Sequence, residues 1–196
     1  GYSGNSFFEG NNYSMGHLLG ITSVAYAIYS EDKPNGDRLL SEVDKVLPKM
    51  LDFANTRLRN GDANEGWSYG AGYALNFFRT MAIIKTASID HKDYFKETTY
   101  DEDAIRFLVN ATLPDRRYML AEGDWAREST GKLWDYHRFI AEMISSYSDS
   151  EEARGVSRFW ANESIPMNEL EVTAYRYQPF LTSNQEVVPL DYKTLP

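Results

Sequence analysis

Two side chains suited to moving protons, His17 and Tyr73, lie 56 residues apart, and each stands seven residues after a Glu-Gly dipeptide. The dipeptide occurs at Glu9-Gly10, Glu65-Gly66 and Glu122-Gly123. The residues around the three copies form a polar, aromatic set. Asn12, Tyr13 and His17 follow the first copy, and Trp67, Tyr69 and Tyr73 the second. Asp124, Trp125, Arg127 and Glu128 follow the third. Two chemistries fit this set. A β-elimination next to a carboxylate needs a group that neutralises the carboxylate and so acidifies the neighbouring C–H, which Asn12 or Arg127 supplies. It also needs a base for that proton and an acid for the leaving oxygen, and a His and a Tyr suit these tasks. Hydrolysis of a glycosidic bond needs instead two carboxyl groups at a fixed separation, with Glu9, Glu65, Glu122, Asp124 and Glu128 as candidates.

Each candidate also has a structural reading. The repeated Glu can accept hydrogen bonds from backbone N–H groups at a helix start, making the dipeptide a turn rather than a reagent. His17 fits a satisfied interior histidine, and Tyr73 a core residue with its hydroxyl bonded. His137 reads as a packing residue or as a projection into the same cleft. Trp67 and Trp125 are stacking platforms for a sugar or packed rings.

The elements that position these residues follow from the repeat. EGNNYSMGHLLGITSVAYAI (9–28) aligns without a gap on EGWSYGAGYALNFFRTMAII (65–84), and the third copy is weaker. A fixed period of this length marks a repeated supersecondary unit. Apolar spacing predicts a helix over 14–30 that is apolar over a wide arc and buried on most sides. Pro34 and Gly36 read as a break, followed by an amphipathic helix over 37–59 that Pro48 should kink. Further helices are expected over 71–88, 102–112 (with Thr99 to Glu102 as a capping box), 132–147 and 150–161. The pattern is inner and outer helices in alternation. It is an all-α chain of repeated antiparallel helical hairpins over 1–164, with repeats starting near 9, 65 and 122. The loops carrying Glu-Gly all fall at one end. After residue 164 the texture changes, and ELEVTAYRYQPF (169–180) alternates like a β-strand. Residues 165–196 are expected to be a short β-prone tail or a linker.

Composition narrows the function. The chain has 196 residues and a formal net charge of −9. That charge argues against a nucleic-acid binder, which would show a basic face. No apolar run is long enough to span a membrane. With no cysteine there is no disulfide and no thiolate metal site. The three histidines have no metal-ligand spacing, and no Walker or Rossmann glycine pattern signals a cofactor.

At this point the residues are similar to a known group. NNYSMGHLLGITSVAYAIYS, DANEGWSYGAGYALNFFRTM and RRYMLAEGDWARES resemble, in order and spacing, segments of the heparinase II/III-like and alginate-lyase-like polysaccharide lyases. The resemblance covers roughly residues 9–160. It implies a portion of an (α/α) toroid followed by a β domain that is missing here. It further implies elimination on acidic, uronic-acid-containing polysaccharide, outside the cell or in the periplasm. Carried over, the first segment gives Asn12 with His17, and the second gives Tyr73, or Tyr69 one helical turn earlier, as catalytic residues. Trp67, Trp125, Arg127, Glu65 and His137 are then substrate-binding candidates. Many members have Asn-His adjacent where this chain has Asn12-Tyr13, which leaves the base open. The partners expected are an acidic polysaccharide or oligosaccharide, and further segments or a partner chain completing the toroid. The alternatives are a six-hairpin glycoside hydrolase and a non-catalytic helical-repeat module that binds carbohydrate or protein.

Overall fold

A computed structural model of the chain describes residues 10–63, 65–120, 123, 131–164, 182 and 186–194. Among these residues the chain forms six α-helices and no sheet: α1 (Asn12–Ile28), α2 (Lys33–Arg57), α3 (Gly66–Ala87), α4 (Tyr100–Ala111), α5 (Asp135–Tyr147) and α6 (Glu151–Ser164). The all-α class read from the sequence is the class of the molecule. α1 packs on α2 and α3, α3 on α5, and α5 on α6, so the helices that open each repeat lie side by side in a row. α4 rests on the turn at 59–61 and on α5 and α6. It meets α3 through rings: Tyr100 stands among Tyr73, Phe77 and Phe78.

The two middle helices of the sequence pattern behave as expected. α3 and α5 are buried over most of their surface, because each has neighbours on several sides. α1 departs from the expectation of burial on most sides. Only the stripe Ser14, Met15, Leu18, Thr22 and Ala25 is buried, and Val24 is 51% exposed. Its composition is that of an inner helix, but among the described residues it closely contacts only α2 and α3.

Two helix starts differ from the expectation, for different reasons. The segment EDKPNGD starts α2 rather than separating it from α1. Asp32 is the N-cap, its carboxylate accepting the Asn35 N–H at 3.3 Å, and Pro34 lies in the first turn, where a missing N–H costs nothing. The helix then continues through Pro48. At α4 the expected capping box is absent, since the Thr99 side chain makes no cap bond. The Thr98 hydroxyl accepts the Tyr100 N–H at 3.1 Å, while Asn55 of α2 accepts from the Thr98 hydroxyl and the Thr99 N–H. The cap is partly tertiary, so local spacing could not show it.

The long polar connection between α4 and α5 is tied down at its ends. The Leu113 N–H donates to Tyr118 O at 2.7 Å, and the Leu133 N–H to Arg117 O at 2.8 Å. Isolated antiparallel bridges link Thr112 with Met119 and Tyr118 with Lys132. Near the C-terminus the Leu190 N–H donates to Gly155 O at 2.9 Å, laying that segment on α6. The expected strand at 169–180 lies outside the described residues.

Candidate functional site

The three Glu-Gly copies share one backbone feature. Gly10, Gly66 and Gly123 have φ of 59°, 71° and 69°, a left-handed conformation that only glycine adopts without strain. The copies also hold one another. The Asn12 N–H, in the first turn of α1, donates to Glu65 Oε2 at 2.7 Å. Glu65 therefore caps the helix of the neighbouring repeat rather than its own, and its negative charge suits a helix N-terminus. Gly66 and Gly123 form an antiparallel bridge, so close that a methyl group on Gly123 would lie 2.6 Å from Gly66 Cα. The turn reading of the dipeptide holds at Glu65. Glu9 and Glu122 lie outside the described residues.

This bracing sets the α1/α3 seam. Asn11 is used as the N-cap of α1, its Oδ1 accepting the Ser14 N–H at 2.8 Å and the Ser14 hydroxyl at 3.0 Å. The Asn12 side chain is half-buried, and its Oδ1 is shut from solvent without a hydrogen-bond partner among the described residues. Its Cβ lies beside Gly72 of α3. Tyr13 is 73% exposed, and His17, one turn further along α1, is also exposed. On α3, short of its last turn, the positions open to solvent form a single stripe: Tyr69, Gly72, Asn76, Arg79 and Ile83. Their spacing is that of one helix face. Tyr69 is the most open of the ring-bearing positions on it, at 37%.

Three candidates are corrected by their surroundings. Tyr73 is buried, its ring stacked on Phe77 at 6.0 Å and set edge-on to Tyr100 at 6.3 Å. Burial pushes its phenol well above the ordinary tyrosine range, and its hydroxyl has no partner. It does not face the same surroundings as exposed His17, although the two align in the repeat. α1 lacks the cover that Tyr100 of α4 gives to α3. Trp67 is fully buried against Phe107, with centroids 5.2 Å apart, and offers no face to a sugar. His137 is fully buried as well. Its Nδ1 accepts the Trp134 N–H at 3.1 Å, which leaves Nε2 to donate to Trp67 O at 2.8 Å. His137 thus fixes the start of α5 to the start of α3 and does not line a cleft. Trp125 and Arg127 lie outside the described residues, as do Asp124 and Glu128. Glu65 is half-buried and engaged by Asn12.

The sequence reading missed Asn76, Arg79 and Tyr136. The first two were legible as polar residues seven and ten positions beyond Tyr69 in a mostly apolar helix. Tyr136 is half-buried at the start of α5. Its ring stacks on Trp134 at 4.1 Å, and Cε2 lies near Gly72. Among the described residues no three His, Asp or Glu side chains converge as metal ligands, and no helix is long and apolar enough to cross a membrane. No protein-family model matches the chain, and neither a curated protein nor a solved structure matches it.

Proposed function

We propose that this chain is a polysaccharide-lyase region that cleaves uronic-acid-containing polysaccharide by β-elimination. The observation that carries the reading is that His17 of α1 and Tyr69 of α3 are both exposed, on helices whose starts the Asn12–Glu65 hydrogen bond holds together. The Asn12 side-chain amide and the Arg79 cation meet the substrate carboxylate and draw charge from the carbon that bears it. That makes its C–H acidic enough for a side-chain base. His17 takes this proton. The electron pair forms a carbon–carbon double bond to the neighbouring carbon, whose bond to the glycosidic oxygen breaks. Tyr69 gives its hydroxyl proton to that oxygen, and exchange with water restores both groups. Tyr69 replaces Tyr73 in this role because an acid must touch the leaving group.

In the same reading the row α1, α3, α5 is an arc of an (α/α) toroid. The open side of α1, with Gly20 and Val24, is where a further inner helix from the same protein or a partner chain would lie. The polymer would be met in the periplasm or outside the cell.

The test is incubation with a panel of uronic-acid polysaccharides while following the ultraviolet absorbance of the unsaturated product. A rise with one polymer, lost in His17→Ala and in Tyr69→Phe, is expected. New reducing ends without absorbance would replace the reading by hydrolysis. Binding without turnover would replace it by a sugar-binding module.

A further inference from the structure

At the end of the helix row opposite the Glu-Gly turns, the last turns of α1 and α3 meet the first half of α2 and the turn that follows α3. An open cavity of about 490 Å³ lies between them, within the size range of small-molecule sites. Its floor is apolar, made by Leu40 and Val43 of α2 and Ile84 of α3, and the rings of Tyr26, Tyr29 and Tyr94 stand around it. Val43, Ile84 and Tyr94 are buried, so the floor and one wall belong to the packed core.

Two carboxylates line this cavity from different elements, Asp44 of α2 and Asp90 of the turn after α3. Both bear on Tyr26. Burial, and then the charges of Asp90 and Asp44, push its phenol above the ordinary tyrosine range, against a hydrogen bond with Ser88. Neither carboxylate makes a hydrogen bond or an ion pair among the described residues. Neighbouring carboxylates are engaged: Asp37 with Lys33 at 2.7 Å, and Asp93 with Lys85 at 2.8 Å. The ring faces here already attract ammonium groups of the chain itself. Lys92 Nζ stands 4.3 Å from the centre of the Tyr94 ring, and Lys33 Nζ 4.9 Å from that of Tyr29. Lys92 also lines the cavity, so its lining carries two negative charges and one positive. Aromatic faces and free carboxylates both favour a cation, and an apolar floor favours hydrocarbon. A uronate would meet Asp44 and Asp90 as like charges, so this cavity does not extend the saccharide site.

We propose that this cavity is a binding site for a small organic ammonium ion, with its apolar body on Leu40, Val43 and Ile84 and its charged head between Asp44 and Asp90 beside the tyrosine rings. The site is independent of the saccharide reading and stands or falls without it. The test titrates the isotope-labelled full chain at low salt with phenethylammonium, and with neutral 2-phenylethanol and anionic phenylacetate as matched probes. Phenethylammonium should shift the backbone amide resonances of residues 40–44 and 84–94. 2-Phenylethanol should bind about tenfold weaker, the loss that goes with a missing hydrogen bond to a charged group, and phenylacetate weaker still. The double variant Asp44→Asn, Asp90→Asn should lose about the same tenfold for phenethylammonium. Both positions are exposed, so it should melt within about 2 °C of the parent. Lys92→Met, which removes the chain's own cation from the Tyr94 ring, should tighten binding. Equal affinity for phenethylammonium and 2-phenylethanol would reduce the cavity to an apolar groove and overturn the inference. A double variant that binds like the parent would overturn it as well, as would weaker binding in Lys92→Met. Absence of shifts with phenethylammonium would overturn it outright.

Discussion

Tyr69 and Tyr73 are one helical turn apart, yet only Tyr69 is open to solvent. Tyr73→Phe removes a hydroxyl that is buried without a partner. The variant should hold or gain stability, by up to about 1 kcal/mol, and keep its turnover. Tyr69→Phe should leave melting unchanged and lower turnover by about a hundredfold or more, the usual loss for a general acid. Melting curves and the absorbance assay on the two variants check this, and equal turnover in both would remove the acid role from Tyr69. His137 belongs to the same scale but to stability. His137→Leu leaves Trp67 O and the Trp134 N–H unpaired in the interior. It should cost about 2 to 4 kcal/mol in urea unfolding; a loss below about 1 kcal/mol would show that the histidine does not fix the two helix starts. Residue types and repeat position made both tyrosines, both histidines and Asn12 legible as candidates. Depth was not legible, because His17 and Tyr73 are equivalent in the repeat and differ only in what the rest of the chain lays over them.

At the scale of elements, the repeated dipeptide is a brace. Each glycine takes a left-handed conformation, and Gly10 and Gly66 do so at the start of a helix. Glu65 joins the second repeat to the first, and the Gly66–Gly123 bridge joins the second to the third. Glu65→Ala leaves the Asn12 N–H without its acceptor and should cost about 1 to 2 kcal/mol. Glu65→Gln, which keeps an acceptor oxygen, should cost under about 1 kcal/mol. Gly123→Ala meets the Gly66 backbone at 2.6 Å in a conformation unfavourable for alanine, and should lose about 2 to 3 kcal/mol. Urea midpoints at constant slope measure all three, and a Gly123→Ala midpoint equal to the parent's would mean that the bridge does not hold the loops. Helix existence was readable from apolar spacing for all six elements. Their starts were less so: α2 begins on a local signal that was taken for a break, and α4 is capped in part by Asn55 from another helix.

At the scale of the whole molecule, burial between elements governs response to pH. Asp101, in the first turn of α4, is buried. Burial raises its carboxyl from 3.8 to about 6, against the lowering effect of a hydrogen bond from Ser148 and of backbone N–H groups. The folded chain therefore binds this proton more tightly than the unfolded one. The stability the group contributes is complete below pH 3.8 and is lost as pH rises through about 6. Asp101→Asn should match the parent in acid and exceed it by up to about 2 kcal/mol near pH 7.5. Urea midpoints at about pH 3 and pH 7.5 test this, and a pH-independent difference would assign the effect to lost hydrogen bonds instead. The sequence by itself determined the helical class, the repeat and the residues clustered after each Glu-Gly. Those rest on local periodicity and on backbone conformations that single residue types permit. Tertiary structure alone decided that α1 is open on one side, that Tyr73, Trp67 and His137 are interior, and that Asn12 lies beside Gly72 across a seam. Exposure and partnership are properties of what a distant segment places against a residue, and a chain read in order carries no measure of that distance.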